Sequence, residues 1–401
     1  MFDRNRFSEM RRRAVRGAMQ SFFRASDTRL DQTENLQRTE IHRILVCRPN
    51  HRLGNLLLLT PLILELQRAF PNAEIDIVLA GDHGAELFRA FRNVGHIYEL
   101  SRRMVRHPIA LARIALQIRR RHYDLAIDPC EASQSSRLLV AMARAKHVIG
   151  VPRDRSAAGR RTMDRAPKHM AQWPVHLVRS ALARRSPDLS HDCPTLDIQL
   201  SASERDNARK VLSELLDLAG KPQPIVVIGL FAEATGAKRY DKEWWQCFVK
   251  ELLGRHPGYA FLEIAPPDGR SRLELGLPVF SSSSPRQVAA VISNLTCFVS
   301  ADCGVMHLAS ASGIPTIGLF SVTDVSKYEP YGNGSGAIDT NGKSPEEVAR
   351  LANGILETAC VNHSSFDLLD RAARQPNLQR QSMTSSAESC PACGTETRSR
   401  A

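Results

Sequence analysis

The chain has no apolar run long enough to span a bilayer. Its longest, "LLLLTPLILEL" (56–66), is interrupted by Thr60, Pro61 and Glu65, and a spanning helix needs about 18 or more apolar residues. The basic N-terminus lacks the apolar core of a secretory signal, so a cytoplasmic protein is expected. A disulfide framework is absent too: the nine cysteines are odd in number and scattered, which suits reduced thiols. Aromatics are few, at 6%. With no helix-turn-helix or RNA-binding signature, nucleic acid is not an expected partner. Tyr123, Trp173 and Trp244 read as packing residues. Acidic residues are the remaining shortage, 42 against 54 Lys and Arg, for a net charge of +12. That imbalance favours anionic partners such as phosphorylated substrates or anionic lipid.

What is present is enough apolar sequence, 43% of 401 residues, for two or three cores. Residues 1–40 form a basic arm. Within it "FSEMRRRAVRGAMQSFFRA" spaces Phe7, Met10, Val15, Met19 and Phe22 loosely at helical period, which fits either an anionic membrane surface or a solvated extension. From residue 43 the chain alternates. Strands are expected at 43–47, 74–79, 97–100 and 124–128, and helices at 55–69, 84–92, 108–121 and 134–145. Residues 150–200 are basic, broken by prolines and hard to assign. After a break near 200–223 the alternation resumes. Strands at 225–231, 259–265, 279–280, 297–301 and 315–320 interleave with helices at 241–254, 285–293, 304–312 and 345–358. This pattern predicts an α/β fold of two Rossmann-like domains facing a central cleft. The expected divisions are 41–205 and 206–361, with a Ser-, Gln- and Arg-rich tail at 362–401 that reads as disordered.

Three stretches could carry chemistry. In "CFVSADCGVMHLASASGIP" a strand ends at Asp302, Gly304 permits a tight turn, and a helix begins. Asp302 is placed as an N-cap. The free amides of Gly304, Val305 and Met306 suit a phosphate. A pure helix cap at Asp302 and a core histidine at His307 are the competing readings. In "GLFAEATGAKRYDKEWW" a strand opens into a loop with Thr235, Gly236, Lys238 and Arg239, and Asp241 can cap the next helix. Cations beyond a strand's carboxyl end suit a diphosphate, although an exposed Lys-Arg pair explains them as well. In "RPNHRLGN" Arg48, His51 and Arg52 surround the turn at Gly54, which is otherwise a basic surface loop.

Together, "ILVCRPNHRLGNLLLLTPLILELQRAF", "GAKRYDKEWW" and "FVSADCGVMHLASASGIPTIGLFSVTD…YEPYG" resemble glycosyltransferase family 9, which includes the ADP-heptose:lipopolysaccharide heptosyltransferases. The resemblance implies a GT-B architecture, with the acceptor bound by the first domain and a nucleotide-sugar by the second. It implies an inverting single displacement that requires no metal and no cofactor. The implied partners are ADP-heptose or a related donor and a glycan or lipid-linked acceptor at the inner face of the membrane. By motif, Lys238 would meet the donor diphosphate. Asp302 and the helix start from Gly304 to His307 would meet sugar and phosphates, with Thr235 in the same loop. A ribose-binding carboxylate would fall near "PPDGR", at Asp268.

One departure stands out. The family's first turn usually reads Leu-Gly-Asp, and that aspartate is the expected general base. Here the position is Asn55, and an amide cannot take a proton near neutral pH. Three accounts follow. His51, or Asp128 or Glu131 at the end of a strand, acts instead. Alternatively, Asn55 orients a hydroxyl that needs little base help. The third account is a homologue that binds the donor but transfers poorly. The CxxC at Cys390 and Cys393 has no second pair, and Cys360 with His363 is not a compelling complement, so no metal site is expected.

Overall fold

The computed structural model describes residues 38–81, 84–101, 108–130, 133–151, 166–182, 192–217 and 225–359. The basic arm up to 37, Glu131, and the tail with Cys360, His363, Cys390 and Cys393 lie outside the described residues.

Strands β1 (Arg43–Cys47), β2 (Glu74–Ala80), β3 (Val94–Leu100), β4 (Leu125–Ile127) and β5 (His147–Ile149) make one parallel sheet in the order β3-β2-β1-β4-β5. β1 and β4 are buried almost throughout, as strands covered on both faces must be. The connections are α1 (Leu53–Leu57), α2 (Thr60–Ala69), α3 (Gly84–Phe88), α4 (Pro108–Arg120) and α5 (Gln134–Ala143), and α6 (Gln172–Leu182) and α7 (Ala202–Leu215) follow β5. A second sheet, ordered β11-β10-β9-β6-β7-β8, holds β6 (Val227–Phe231), β7 (Ala260–Ile264), β8 (Val279–Phe280), β9 (Cys297–Ala301), β10 (Thr316–Phe320) and β11 (Gly336–Asp339). Its helices are α8 (Lys242–Arg255), α9 (Pro285–Ile292), α10 (Gly304–Ala311), α11 (Val325–Tyr328) and α12 (345–359). In each sheet the strand order reverses once, between β1 and β4 and between β6 and β9. Crevices at such reversals, outside the strands' carboxyl ends, are where open α/β sheets bind ligands.

The structure departs from expectation in several places. The helix expected over 55–69 is two, α1 and α2, because Pro61 begins a new helix and the Thr60 hydroxyl donates to Leu57 O at 2.8 Å. The unassigned 150–200 region supplies α6, and β5 was not foreseen. The expected break at 200–223 holds the 14-residue α7, closed at its start by a Ser201–Glu204 capping box. This helix runs through 205–206, where a domain division was expected. Strand β11 was also missed.

The two lobes share one apolar cluster, running from Ile44, Val46 and Leu59 to Phe231, Val288 and Leu308. The Glu65–Arg179 ion pair ties α2 to α6 through two contacts, at 2.7 and 2.8 Å. The segment before α7 straps the lobes together. Asp197 N donates to Thr60 Oγ1 (3.2 Å) in the first, and Ile198 N donates to Ala311 O (3.3 Å) in the second.

Candidate active site

The second lobe's reversal point gathers the loop after β6 and the turn after β9. In the first, Gly236 has φ +62°, a left-handed conformation that suits glycine. A single 3-10 turn, Gly236–Lys238, then points Lys238 back at β9. Its ammonium lies 2.7 Å from Asp302 Oδ2, on a side chain that is only 6% exposed. The loop is anchored behind Lys238 by Tyr240, which stacks on Trp244 at 4.4 Å and shares a 2.9 Å hydrogen bond with Thr340 Oγ1. Asp302 is therefore an ion-pair partner, which corrects its expected role as helix cap. The N-cap of α10 is Cys303, without a side-chain capping bond. Burial pushes the Cys303 thiol up, and the amides of Met306 and Val305 lie toward its sulfur. A thiol is a weak acceptor, so these amides retain capacity for a stronger one. Asp241 does stand at the N-cap of α8, but its side chain makes no capping bond.

His307 is 5% exposed on α10. Burial drives its pKa down to about 4, opposed by Asp302 and reinforced by His169 and Lys238. It is a neutral imidazole at the floor of the cleft. Thr235 is exposed at the head of the loop. Arg239 turns away from Asp302 to Glu233, at 2.8 Å. Glu233 also pairs with Arg272 at 2.6 Å, and Arg272 pairs with Asp268 at 2.9 Å, which holds the Asp268 carboxyl below its usual range. The structure thus brings Lys238, Asp302 and His307 together. It sets Arg239 and Asp268 in an adjoining chain of ion pairs whose middle members, Glu233 and Arg272, sequence reasoning missed. Charged residues in loops are too common for their spacing to have shown that pairing.

The first lobe's turn meets this floor directly. Gly54 packs so closely on α10 that an added Cβ would stand 2.8 Å from His307 Cδ2 and 3.3 Å from Gly304 Cα. A Cβ on Gly304 would stand 3.2 Å from Gly54 N. The two glycines that open the two motifs are thus face to face, one from each lobe, and Asn55 follows the first. The Asn55 carbonyl accepts from Arg48 Nε at 3.0 Å, which fixes the turn to the end of β1. His51 is exposed ahead of α1. Asp128 is 4% exposed and turned inward. It accepts from the Ser136 hydroxyl at 2.5 Å and the Cys130 amide at 3.1 Å, and burial raises its pKa.

Among the described residues no His, Cys, Asp and Glu cluster could hold a metal ion, and no helix is long and apolar enough to cross a membrane. No curated protein matches the chain in sequence. Solved structures do. A family 9 glycosyl transferase from Veillonella parvula superposes with a TM-score of 0.64 at 18% identity, covering 81% of this chain and 100% of that one. The E. coli ADP-heptose lps heptosyltransferase II gives 0.58 at 18%, covering 79% and 99%. E. coli heptosyltransferase WaaC, solved with ADP, gives 0.56 at 20%, covering 79% and 99%. These likenesses show the GT-B fold of two facing α/β lobes. The sequence pattern of Glycosyltransferase family 9 (heptosyltransferase) matches residues 111–353, most of both lobes but not the turn at Asn55. With that match across more than half its length, the chain belongs to glycosyltransferase family 9.

Proposed function

We propose that the chain is an inverting glycosyltransferase of the heptosyltransferase type. It moves heptose or a related sugar from ADP-heptose or a similar donor to a cell-envelope glycan such as a lipopolysaccharide core, without metal. The observation that carries this reading is the Gly54–Gly304 contact, which sets the acceptor-side turn against the Lys238–Asp302 pair. In this reading residues 201–359 hold the donor, because α7 packs on α9 of the second lobe. Residues 41–200 hold the acceptor.

The donor diphosphate binds Lys238 and the amides of Val305 and Met306, with helix-dipole support. Asp302 keeps the ammonium in place, and Arg239, Thr235 and Asp268 line the nucleotide side. The acceptor oxygen attacks the anomeric carbon as the bond from that carbon to the phosphate oxygen breaks. The nucleoside diphosphate leaves with the electron pair, its charge met by Lys238. Asn55 orients the hydroxyl, and the released proton passes to His51. Asp128 is a positioning residue in this reading: it is buried, its Oδ1 holds Ser136 and Cys130, and its Oδ2 faces Arg137 at 3.9 Å. The second reading, a donor-binding homologue of weak activity, is favoured by Asn55 alone.

Incubation of the full chain with a panel of nucleotide-sugars and candidate acceptors separates the two. The proposal expects released nucleotide and a glycosylated product. Asp302→Ala should lose at least 100-fold in rate, and His51→Ala roughly 10²-fold, as a base does. Donor binding with no product on any acceptor would establish the weak homologue. Full activity in His51→Ala would reject His51 as the proton acceptor.

A further inference from the structure

Charge is unevenly shared between the lobes. Residues 41–205 carry 26 Lys and Arg against 15 Asp and Glu, whereas 206–361 carry 14 against 17. Much of the excess lies in one stretch. Between Glu99 and Asp124 the sequence holds seven arginines and no acid. α4 occupies most of this stretch and covers one face of the first sheet, with Leu111, Ile114 and Ile118 turned to the core beside Leu139 and Val140 of α5.

The opposite face of α4 has no partner among the described residues. Arg113, Arg119 and Arg120 are exposed and make no ion pair there. Leu116 stands between them, 49% exposed. Positions 113, 116 and 120 differ by three and four, so they form one stripe on the helix. A leucine flanked by uncompensated arginines is the composition of a helix that lies on a bilayer. The cations meet lipid phosphates and the apolar side chain enters the headgroup boundary.

The placement of α4 supports this. A crossover between parallel strands runs antiparallel to them, and Arg121, just past α4, reaches Glu74 and Asp76 at the start of β2. The helix therefore begins on the cleft side of the sheet and runs about 20 Å along the outside of the lobe. We propose that this outer face of α4 is a docking surface for an anionic phospholipid bilayer, which would hold the first lobe's crevice at the membrane. The surface is distinct from the basic arm and does not depend on which sugar is transferred.

The test is co-sedimentation of the full chain with vesicles of phosphatidylglycerol and phosphatidylcholine at 0.15 M salt. Expected are binding that weakens with added salt, no binding to phosphatidylcholine alone, and at least a tenfold loss in Arg113→Gln/Arg119→Gln/Arg120→Gln. Leu116→Gln should weaken binding several-fold, and both variants should keep wild-type melting temperatures. A matched variant of the arm, Arg11→Gln/Arg12→Gln/Arg13→Gln, should lose less. The proposal is overturned if the α4 variants bind vesicles like wild type, or if the chain binds no anionic vesicle. It is also overturned if a duplex oligonucleotide binds as tightly with no dependence on Leu116, since that marks a polyanion site. Transfer to a soluble acceptor, measured alongside, reports the catalytic reading separately.

Discussion

At residue scale, the glycine pair at the lobe junction has the most direct consequence. An alanine Cβ at position 54 would meet the buried His307 ring at 2.8 Å, and neither partner is a flexible chain end. Gly54→Ala should therefore push the lobes apart, costing about 1–3 kcal/mol as overpacking does and raising KM for both substrates several-fold. Steady-state kinetics with thermal melting checks this, and unchanged KM would contradict it. His307 sets a second expectation. Its pKa falls from 6.5 to about 4 on folding, so between those values the unfolded chain binds a proton that the folded chain does not. Stability should be fully present above pH 6.5 and decline as the pH falls toward 4. His169, also lowered by burial, adds in the same direction. Urea titrations across pH 4–7 should show this slope, reduced in His307→Gln. Asn55 was legible in the sequence as an anomaly. Its backbone tie to Arg48 was not, because that bond depends on how β1 delivers the guanidinium.

At the scale of elements, most strands and helices were legible because buried parallel strands read as unbroken apolar runs. The misses have physical reasons. β5 buries only Val148 and Ile149, and β11 only Ile338, so neither stands out as an apolar run. α7 buries only Ala208 and Leu212, so its apolar periodicity is faint, yet its Ser201-x-x-Glu204 capping signature was there to be read. That cap also serves tertiary structure. Arg286 of α9 reaches Glu204 through two contacts, at 2.6 and 2.8 Å, and holds its pKa near 2. Ser201→Ala should cost about 1 kcal/mol, seen as a lower denaturation midpoint with an unchanged m-value. No change in midpoint would show that the cap contributes nothing to α7.

At the scale of the whole molecule, two α/β domains facing a cleft were foreseeable, but the strand order of each sheet and the way the lobes meet were not. Besides the strap before α7 and the shared apolar cluster, three sets of contacts between residues far apart in sequence fix how the lobes meet. The first is the glycine pair. The second joins the segment before α6 to the loop at α11: Met170 N donates to Lys327 O at 3.0 Å, and the His169 ring bonds Glu329 O at 2.9 Å. In the third, the Glu86 carboxylate of α3 accepts from the Ser284 hydroxyl at the start of α9. Together they direct the first lobe's turn at the Lys238–Asp302 pair. The most direct measurement is a crystal structure of the full chain with a nucleotide-sugar. The account predicts the diphosphate between Lys238 Nζ and the amides of Val305 and Met306, with the sugar toward Asn55. A diphosphate bound elsewhere, with the Lys238–Asp302 pair untouched, would contradict it.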